Sequence, residues 1–188
     1  MEKDNILKIF EGKKALLKGH FKLSSGMHSE NYLQCALVLQ YPDIASELCR
    51  KIGEYFKKND ITCVVAPALG GVVVSYEVAR SLNVRSIFTE RKEGKMVLRR
   101  GFSLSKKDRV LVVEDVITTG LSTKEVLEVV MSTGALVAGV GSIIDRSGKT
   151  IDFGVKSMSL LKLDIPVFSE DKCPLCKEGI PINKPGSR

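Results

Sequence analysis

The sequence predicts an α/β fold in which one mainly parallel β-sheet carries helices on both faces. Short runs that are apolar throughout, such as "ITCVVAPA" and "RVLVVED", are typical of strands buried on both sides. These runs alternate with segments of helical period, and glycine-bearing turns separate them. With 188 residues, of which 44% are hydrophobic and 27% charged, the chain has the size and composition of a single globular domain, residues 1–188.

The elements follow one another in a regular order. The segment "YPDIASELCRKIGEYFKK" places Ile44, Leu48, Ile52 and Phe56 at helical spacing and predicts a helix. A strand "ITCVVAPA", a helix "LGGVVVSYEVARSL" and a strand "VRSIFTE" come next. They precede a strand "RVLVVED", a helix "STKEVLEVVMSTG" that Gly134 ends, and a strand "ALVAGVGSIID". The segment "VKSMSLLKLDI" is a candidate fifth strand. About residues 1–40 form a separate N-terminal segment, and about residues 165–188 form a tail.

The charge of the chain indicates an anionic partner. A net charge of +7 would suit nucleic acid, a membrane surface or a phosphorylated small molecule. Nine basic residues lie between Arg85 and Arg109, inclusive, where two predicted strands flank a loop, and this position favours a substrate over a merely solvated face. No apolar run reaches the length of a membrane span, and the first residues are too charged for a signal peptide. We therefore expect a cytoplasmic protein with no membrane partner. Because no helix-turn-helix or aromatic RNA-binding signature appears, we expect no nucleic-acid partner either.

The five cysteines fall into two groups. Cys35, Cys49 and Cys63 lie in apolar contexts that are typical of small core residues. Cys173 and Cys176 form "CPLC", which is half of a zinc site or a redox pair. Because no second C-x-x-C and no closely spaced histidine pair completes the motif, a structural turn is the default expectation, and we predict no metal-ligating residues.

The segment "EDVITTGLST" leads from a strand into a helix and is the first candidate site. Gly120 can adopt backbone angles that other residues avoid, and the free N–H groups of the first helical turn can bind an anion. Glu114 and Asp115 would repel that anion, but they suit hydroxyl groups or water held by Mg²⁺. A sugar phosphate satisfies both halves. The alternative is that Ser122 or Thr123 merely caps the helix while the two acids lie in water.

A second strand-to-helix turn, "APALGG", can bring backbone N–H groups of Gly70 and Gly71 against another anion. Together with the basic loop after the strand "VRSIFTE", it supplies what a diphosphate needs. The Walker A pattern is absent, and the glycines of "GALVAGVG" lead into a strand instead of a helix. The sequence therefore indicates neither a nucleoside triphosphatase nor a Rossmann dehydrogenase.

The stretch "VLVVEDVITTGLST" resembles the signature of the type I phosphoribosyltransferases: an apolar strand, two acids, T-T-G and small hydroxyl residues. Its resemblance to the members that use orotate covers nearly the whole chain, including "GHFKLSSGMHSENYLQ", "APALGG", the basic loop and "IIDRSGK". The resemblance implies the family's fold with a small N-terminal hood. It also implies transfer of the 5-phosphoribosyl group from phosphoribosyl diphosphate to orotate N1, with Mg²⁺ bound mainly through the substrate. A phosphoribosyltransferase for another base and a non-catalytic phosphosugar-sensing regulator remain alternatives.

The resemblance also implies roles for individual residues. Lys95 and Asp115 are the candidate catalytic residues, and Lys95 would stabilise the leaving diphosphate in a homodimer whose basic loop serves the neighbouring subunit. The residues expected to bind phosphoribosyl diphosphate are Gly70, Gly71, Arg91, Lys92, Lys95, Glu114, Asp115, Val116, Ile117, Thr118, Thr119, Gly120, Leu121 and Ser122. Those expected to bind orotate are Ser24, Thr118 and Arg146. The residues alone also allow Arg146 to pair with its neighbour Asp145, and Lys95 to be an ordinary exposed lysine.

The chain departs from the family pattern at three positions. Many members carry lysines at the places of Ser24 and Gly70 and a histidine at the place of Val97. Arg99 and Arg100 could replace the lost positive charge. The short basic loop and the "CPLC" tail are similar to a bacterial and archaeal subgroup of the family.

Overall fold

The computed structural model describes residues 3–23 and 26–184, which form two β-sheets and the helices that cover them. The helices are α1 (Lys3–Gly12), α2 (Ala36–Leu39), α3 (Pro42–Phe56), α4 (Gly70–Leu82), α5 (Leu121–Ser132) and α6 (Pro174–Lys177). The strands are β1 (Leu16–Lys22), β2 (His28–Leu33), β3 (Cys63–Pro67), β4 (Arg85–Lys92), β5 (Lys95–Leu98), β6 (Arg109–Ile117), β7 (Leu136–Asp145), β8 (Ser157–Lys162) and β9 (Val167–Phe168). No helix in these ranges is long and apolar enough to cross a membrane.

The larger sheet has six strands in the order β5-β4-β3-β6-β7-β8. Every neighbouring pair is parallel except β4 and β5, which are antiparallel. The prediction of a mainly parallel sheet is therefore confirmed, and β8 confirms the candidate fifth strand. Because parallel strands end at the same edge, the loops after β3, β6 and β7 lie together at one side of the sheet.

Helices cover both faces of this sheet, as predicted. On one face α1, α3 and α4 pack against alternate strand residues, with Ile52, Phe56 and Leu111 fully buried. On the other face α5 packs against the intervening residues, among them Val110 and Val112. Gly134, which has φ +81°, follows the end of α5 as the sequence predicts.

The two glycines in the middle of β7 make room for helix α3. A Cβ atom at Gly139 would lie 2.3 Å from Cε1 of Phe56, and one at Gly141 would lie 2.5 Å from Cγ2 of Ile52. These glycines therefore allow close packing between helix and sheet. Their place inside a strand agrees with the exclusion of a dinucleotide-binding turn.

The smaller sheet joins the two ends of the chain. Strands β1 and β2 form an antiparallel hairpin, and β9 pairs with β2 on its other side. Beyond β9 the tail returns along β1, where the Asn183 amide donates a 2.7 Å hydrogen bond to the carbonyl of His20. Strands β1, β2 and β9 and the tail thus form one unit, which we call the hood, whereas α1 packs on the larger sheet.

The prediction of a basic loop is wrong over its first part, which forms a β-hairpin. Strand β4 continues through Lys92, and Lys92 pairs with Lys95 across a two-residue turn. Both turn residues have positive φ, +52° at Glu93 and +81° at Gly94, the geometry that suits a tight hairpin turn. Met96 on β5 packs into the core that α5 forms with the sheet, so the hairpin is anchored at its base.

Candidate active site

The segment between β6 and α5 forms a concave turn at the edge where the parallel strands end. Gly120 adopts φ +76° immediately before α5, and a Cβ atom there would lie 2.9 Å from Cδ1 of Ile151. Position 120 therefore requires glycine for both conformation and space. The cavity under the turn is lined by Glu114, Val116, Ile117, Thr118, Thr119, Gly120, Leu121, Ser122 and Thr123. The first-turn amides of α5 face it with the positive end of the helix dipole, as an anion site requires.

Glu114 is buried beside this cradle, so the alternative of two solvated acids fails for this residue. Only 8% of Glu114 is exposed, and its Oε2 accepts a 2.8 Å hydrogen bond from Oγ1 of Thr123. The N-cap residue of α5 is Gly120, which has no side chain, and the Thr123 hydroxyl donates to the Glu114 carboxyl instead of capping the helix. Burial, and then the neighbouring Asp115, raise the pKa of Glu114 to about 8, while the Thr123 hydrogen bond opposes the shift.

Asp115 is half-buried and links the cradle to the loop after β3. A Cβ atom at Gly70 would lie 2.6 Å from Oδ2 of Asp115, so the carboxylate occupies the space that a side chain at position 70 would need. Burial raises the pKa of Asp115, and backbone hydrogen bonds from Val116 and from its own amide partly offset this. A lysine at position 70, which many family members carry, would therefore clash with Asp115 in this chain.

The loop after β3 brings backbone close to the same edge. A Cβ atom at Gly71 would lie 2.8 Å from Cβ of Ala66, so this glycine permits α4 to begin directly against β3. Leu69 is 82% exposed, and the peptide bond between Ala68 and Leu69 is cis. The start of α4 therefore lies against β3, with Gly70 next to the carboxylate of Asp115.

Arg146 lies at the end of β7, and its predicted alternative pairing with Asp145 is wrong. Asp145 instead accepts a 2.9 Å hydrogen bond from the Ser147 amide and lies 4.0 Å from Nζ of Lys162. Arg146 is only 7% exposed, and its Nη2 has no hydrogen-bond partner within the described ranges. Burial lowers the pKa of this guanidinium. A buried, unpaired donor at a strand end is a ready site for an anionic ligand.

Tyr32 reaches the same region from the hood and was missed by sequence reasoning. Burial, and then Asp115, raise the pKa of Tyr32, while Arg146 opposes the shift. The hydroxyl is therefore within electrostatic reach of both residues. Tyr32 lies on β2 in a segment whose only sequence signal was the resemblance of "GHFKLSSGMHSENYLQ". Ser24, the predicted orotate contact from the hood, lies outside the described residues.

Two arginines of the basic segment are paired with acids, whereas two of its lysines flank the exposed turn. Arg91 forms a bidentate ion pair with Glu125 of α5 and donates a 2.9 Å hydrogen bond to the carbonyl of Gly94. Arg100 is paired with Glu90 through two 2.8 Å hydrogen bonds, so its charge is already matched. Lys92 and Lys95 flank the exposed hairpin turn. The sequence did not indicate Glu125, which fixes Arg91 next to the cradle.

The remaining predicted residues divide by exposure. Thr118 and Thr119 are exposed at the mouth of the cradle, and Ser122 is half-buried. Ile117 is only 4% exposed and belongs to the core, so its contribution to a ligand would come from its backbone. Leu121 is 60% exposed at the start of α5. The structure thus brings the predicted residues of β6 and α5 together with Gly70 and Arg146.

Comparison with known proteins agrees with this arrangement. The sequence pattern of the phosphoribosyl transferase domain family matches residues 37–173. The chain is 55% identical to an orotate phosphoribosyltransferase of Caldanaerobacter subterraneus subsp. tengcongensis over 188 residues, 100% of this chain and 99% of that protein. It is 52% identical to an orotate phosphoribosyltransferase of Pelotomaculum thermopropionicum, with the same coverage.

A solved structure shows the same fold. The crystal structure of orotate phosphoribosyltransferase from Aeropyrum pernix superposes with a TM-score of 0.68 at 26% identity and covers 84% of this chain and 93% of that one. The match of the family pattern extends over most of the chain, and the relatives above exceed half identity over its full length. This chain belongs to the phosphoribosyltransferase family.

Proposed function

We propose that this chain is an orotate phosphoribosyltransferase. It transfers the 5-phosphoribosyl group from phosphoribosyl diphosphate to N1 of orotate, which yields orotidine 5-monophosphate and diphosphate in pyrimidine nucleotide biosynthesis. The single observation that carries the proposal is the convergence, at one sheet edge, of an anion cradle, two carboxylates and the unpaired Arg146. The names of the relatives at 52 to 55% identity support the choice of orotate.

The cradle suits the 5-phosphate and the two acids suit the ribose. Amides at the start of α5 and the hydroxyls of Thr118, Thr119 and Ser122 surround a space for a tetrahedral anion. Asp115 lies beside this space and can accept hydrogen bonds from the ribose hydroxyls. Glu114 is held by Thr123 and contributes the second acceptor. A phosphate at one end and a diol at the other fix the sugar in a single orientation.

Arg146 supports orotate over other bases. A planar guanidinium matches a carboxylate with two parallel hydrogen bonds, and orotate carries a carboxylate that uracil and the purines lack. Nη2 of Arg146 has no protein partner among the described residues, so it is free to pair with a ligand carboxylate. Tyr32 of the hood is within electrostatic reach of both Asp115 and Arg146.

The site also fits the Mg²⁺ that accompanies the substrate. Burial and the proximity of Asp115 raise the pKa of Glu114, and a nearby cation would favour the ionised form of both acids. Two adjacent carboxylates are too few for a dedicated metal cage, so Glu114 and Asp115 would hold the ion's waters while the substrate's oxygens bind it directly. When bound, the ion neutralises charge on the diphosphate.

The reaction needs charge stabilisation more than a nucleophile. As the bond between ribose C1 and the diphosphate oxygen breaks, positive charge develops on the ribose and negative charge on the leaving group. Asp115 lies on the side of the ribose, and the Gly70 amide with Arg91, Lys92 and Lys95 would face the diphosphate. Closure of the basic hairpin would exclude water, which would otherwise capture the ribosyl cation.

A homodimer with a shared hairpin fits the exposed surface of α4. Leu69, Val73 and Tyr76 are 82%, 42% and 63% exposed and follow each other at helical spacing next to the Gly70 turn. An apolar stripe of this kind suits a subunit contact that would bring a neighbour's Lys95 to the diphosphate. The cytoplasmic location, and the absence of nucleic-acid and membrane partners, stay predictions.

One assay tests the function directly. Purified protein with Mg²⁺ and phosphoribosyl diphosphate should consume orotate and release one diphosphate for each orotidine 5-monophosphate formed. Adenine, hypoxanthine and uracil should turn over poorly under the same conditions. Turnover of a purine but not of orotate would contradict the assignment. Tight binding of phosphoribosyl diphosphate without turnover of any base would favour the regulator.

A further inference from the structure

Four side chains in the hood converge at a point that the transferase site does not use. His20 lies on β1 and His28 on β2. Cys173 immediately precedes the short tail helix α6, and Cys176 lies within it. One ligand atom from each, namely Nε2 of His20, Nδ1 of His28 and the two Sγ atoms, lies within 4.8 Å of every other. The cysteines are separated from the histidines by about 150 residues of sequence, yet the pairing of β2 with β9 brings them together.

The distances match the edges of a tetrahedron around one metal ion. With Zn–N near 2.0 Å and Zn–S near 2.3 Å, ideal edges are about 3.3 Å between nitrogens and about 3.5 Å between nitrogen and sulfur. The two nitrogens lie 3.0 Å apart. Nε2 of His20 lies 3.5 Å from Sγ of Cys173 and 3.7 Å from Sγ of Cys176, and Nδ1 of His28 lies 3.3 Å from Sγ of Cys176. A small expansion between the nitrogens would admit the ion.

The surroundings of His20 favour a ligand role. Its Nδ1 lies 2.7 Å from the carbonyl oxygen of Ile180, and only a protonated nitrogen can donate to that oxygen. In the neutral ring, Nε2 then carries a lone pair directed at the other three ligand atoms. This is the arrangement in which a backbone carbonyl orients a metal-bound histidine.

Burial separates this cluster from an ordinary redox pair. His20, His28 and Cys173 are 3%, 1% and 0% exposed, whereas Cys176 lies at the surface and closes the outer side. Both cysteines are free thiols in the structure. A dithiol redox motif has no need of two buried imidazoles that face its sulfurs, whereas a Cys₂His₂ zinc site needs all four.

We propose that His20, His28, Cys173 and Cys176 bind one structural Zn²⁺ ion. Four protein ligands leave no open position, so the ion stabilises the fold and carries no reaction. It cross-links the β1–β2 hairpin to the tail, whose Asn183 also accepts a 2.9 Å hydrogen bond from the Lys22 amide. The ion thereby fixes the hood strand that carries Tyr32. The proposal is independent of the transferase assignment, because the site is made of different residues.

Metal content is the first test. The full chain, freed of any affinity tag and purified without chelator, should contain one zinc per chain by inductively coupled plasma mass spectrometry. Cys176→Ser should reduce this to near zero, and circular dichroism verifies that the variant is folded. Cys63→Ser, a buried cysteine on β3, is the matched control and should keep its zinc. Iron as the only resident metal would overturn the zinc assignment.

Two further measurements use the unmodified protein. Removal of metal with a strong chelator under reducing conditions should lower the melting temperature of the wild type but leave that of Cys176→Ser unchanged. Addition of Co²⁺ to the chelated protein should give the visible absorption of tetrahedral cobalt with thiolate ligands, and His28→Ala should alter that spectrum. A protein that is isolated without metal and that takes up neither Zn²⁺ nor Co²⁺ in equimolar amount when reduced would overturn the proposal.

Discussion

The carboxylate of Asp115 lies where a side chain at Gly70 would begin, since a Cβ atom at position 70 would be 2.6 Å from its Oδ2. The two residues belong to different strand-to-helix turns, one after β3 and one after β6. Their contact couples the proposed diphosphate loop to the proposed ribose site. A change at either residue should therefore alter how the enzyme uses phosphoribosyl diphosphate.

Gly70→Ala should impair the enzyme by displacing Asp115. The added methyl would lie 2.6 Å from the carboxylate, so the carboxylate must move. Displacement of a catalytic group by about 1 Å costs on the order of tenfold to a hundredfold in kcat/KM. The loss should appear in kcat as well as in the KM for phosphoribosyl diphosphate, because Asp115 is the displaced group. Gly12→Ala at the end of α1 is the control, because a Cβ atom there meets nothing within 4 Å among the described atoms. Equal kinetics in Gly70→Ala and Gly12→Ala would contradict the coupling.

Asp115→Asn should lower turnover while leaving the fold intact. If Asp115 stabilises the ribose as charge develops at C1, removal of its charge costs on the order of 2 to 4 kcal/mol in the transition state. The measurement is kcat at saturating substrates, with circular dichroism to verify folding. Unchanged kcat in a folded variant would return Asp115 to a structural role.

Glu114 should make the stability of the ligand-free protein fall as pH rises. Its folded pKa is about 8, above the ordinary value of 4.5, so the folded state holds a proton that the unfolded state releases. The free energy of unfolding therefore decreases between about pH 4.5 and about pH 8, by at most about 1.4 kcal/mol per pH unit from this group. Urea unfolding at several pH values measures the effect.

Glu114→Gln should remove this pH dependence, because the amide cannot ionise and its oxygen can still accept the Thr123 hydrogen bond. The stability of the variant relative to wild type should increase steadily from pH 5 toward pH 8. Glu128→Gln, at an exposed position on α5, is the control and should show no such trend. A constant difference between wild type and Glu114→Gln across this range would show that the burial of Glu114 is not what controls its protonation.

Arg146→Ala should weaken orotate far more than phosphoribosyl diphosphate. A hydrogen bond to a charged group contributes about 1.5 to 3 kcal/mol, so the KM for orotate should rise roughly tenfold to a hundredfold. The ligand-free protein should lose little stability, because Nη2 has no partner to abandon in the described part of the chain. Arg50→Ala, an exposed arginine on α3, serves as the control. Equal losses for both substrates would make Arg146 a structural residue.

The sequence predicts the sheet well because its central strands are buried on both faces. Runs such as "RVLVVED" have no polar face, so few other structures could accommodate them. Strand β5 was missed for the opposite reason. It has only four residues and follows the charged end of β4, and the pairing of the two strands depends on a turn at Glu93 and Gly94 and on the packing of Met96 against α5.

The residues of the site likewise divide into those that the sequence could predict and those that it could not. Glu114, Asp115 and the cradle could be predicted because they are contiguous along the chain, and contiguous residues after a strand stay together in the fold. Tyr32, Glu125 and the pair His20 and His28 could not, because their partners are distant in sequence and meet only through tertiary structure. The alternative pairing of Arg146 with Asp145 fails because neighbouring residues at a strand end point to opposite faces.

The last prediction concerns the proposal that the active unit is a dimer with a shared hairpin. Lys95 flanks the exposed turn of the β4–β5 hairpin, whereas Asp115 lies at the end of the sheet, so the two residues can serve different subunits' sites. Lys95→Ala and Asp115→Asn should each be nearly inactive alone. If the hairpin crosses to the neighbour, a mixed dimer has one site with both defects and one with none. Exchange at equal concentrations makes about half of the dimers mixed, so about a quarter of wild-type activity should return.

If the hairpin serves its own subunit, every site keeps one defect and mixing restores nothing. Subunit exchange is verified with differently tagged chains, and verified exchange without recovered activity would reject the shared site.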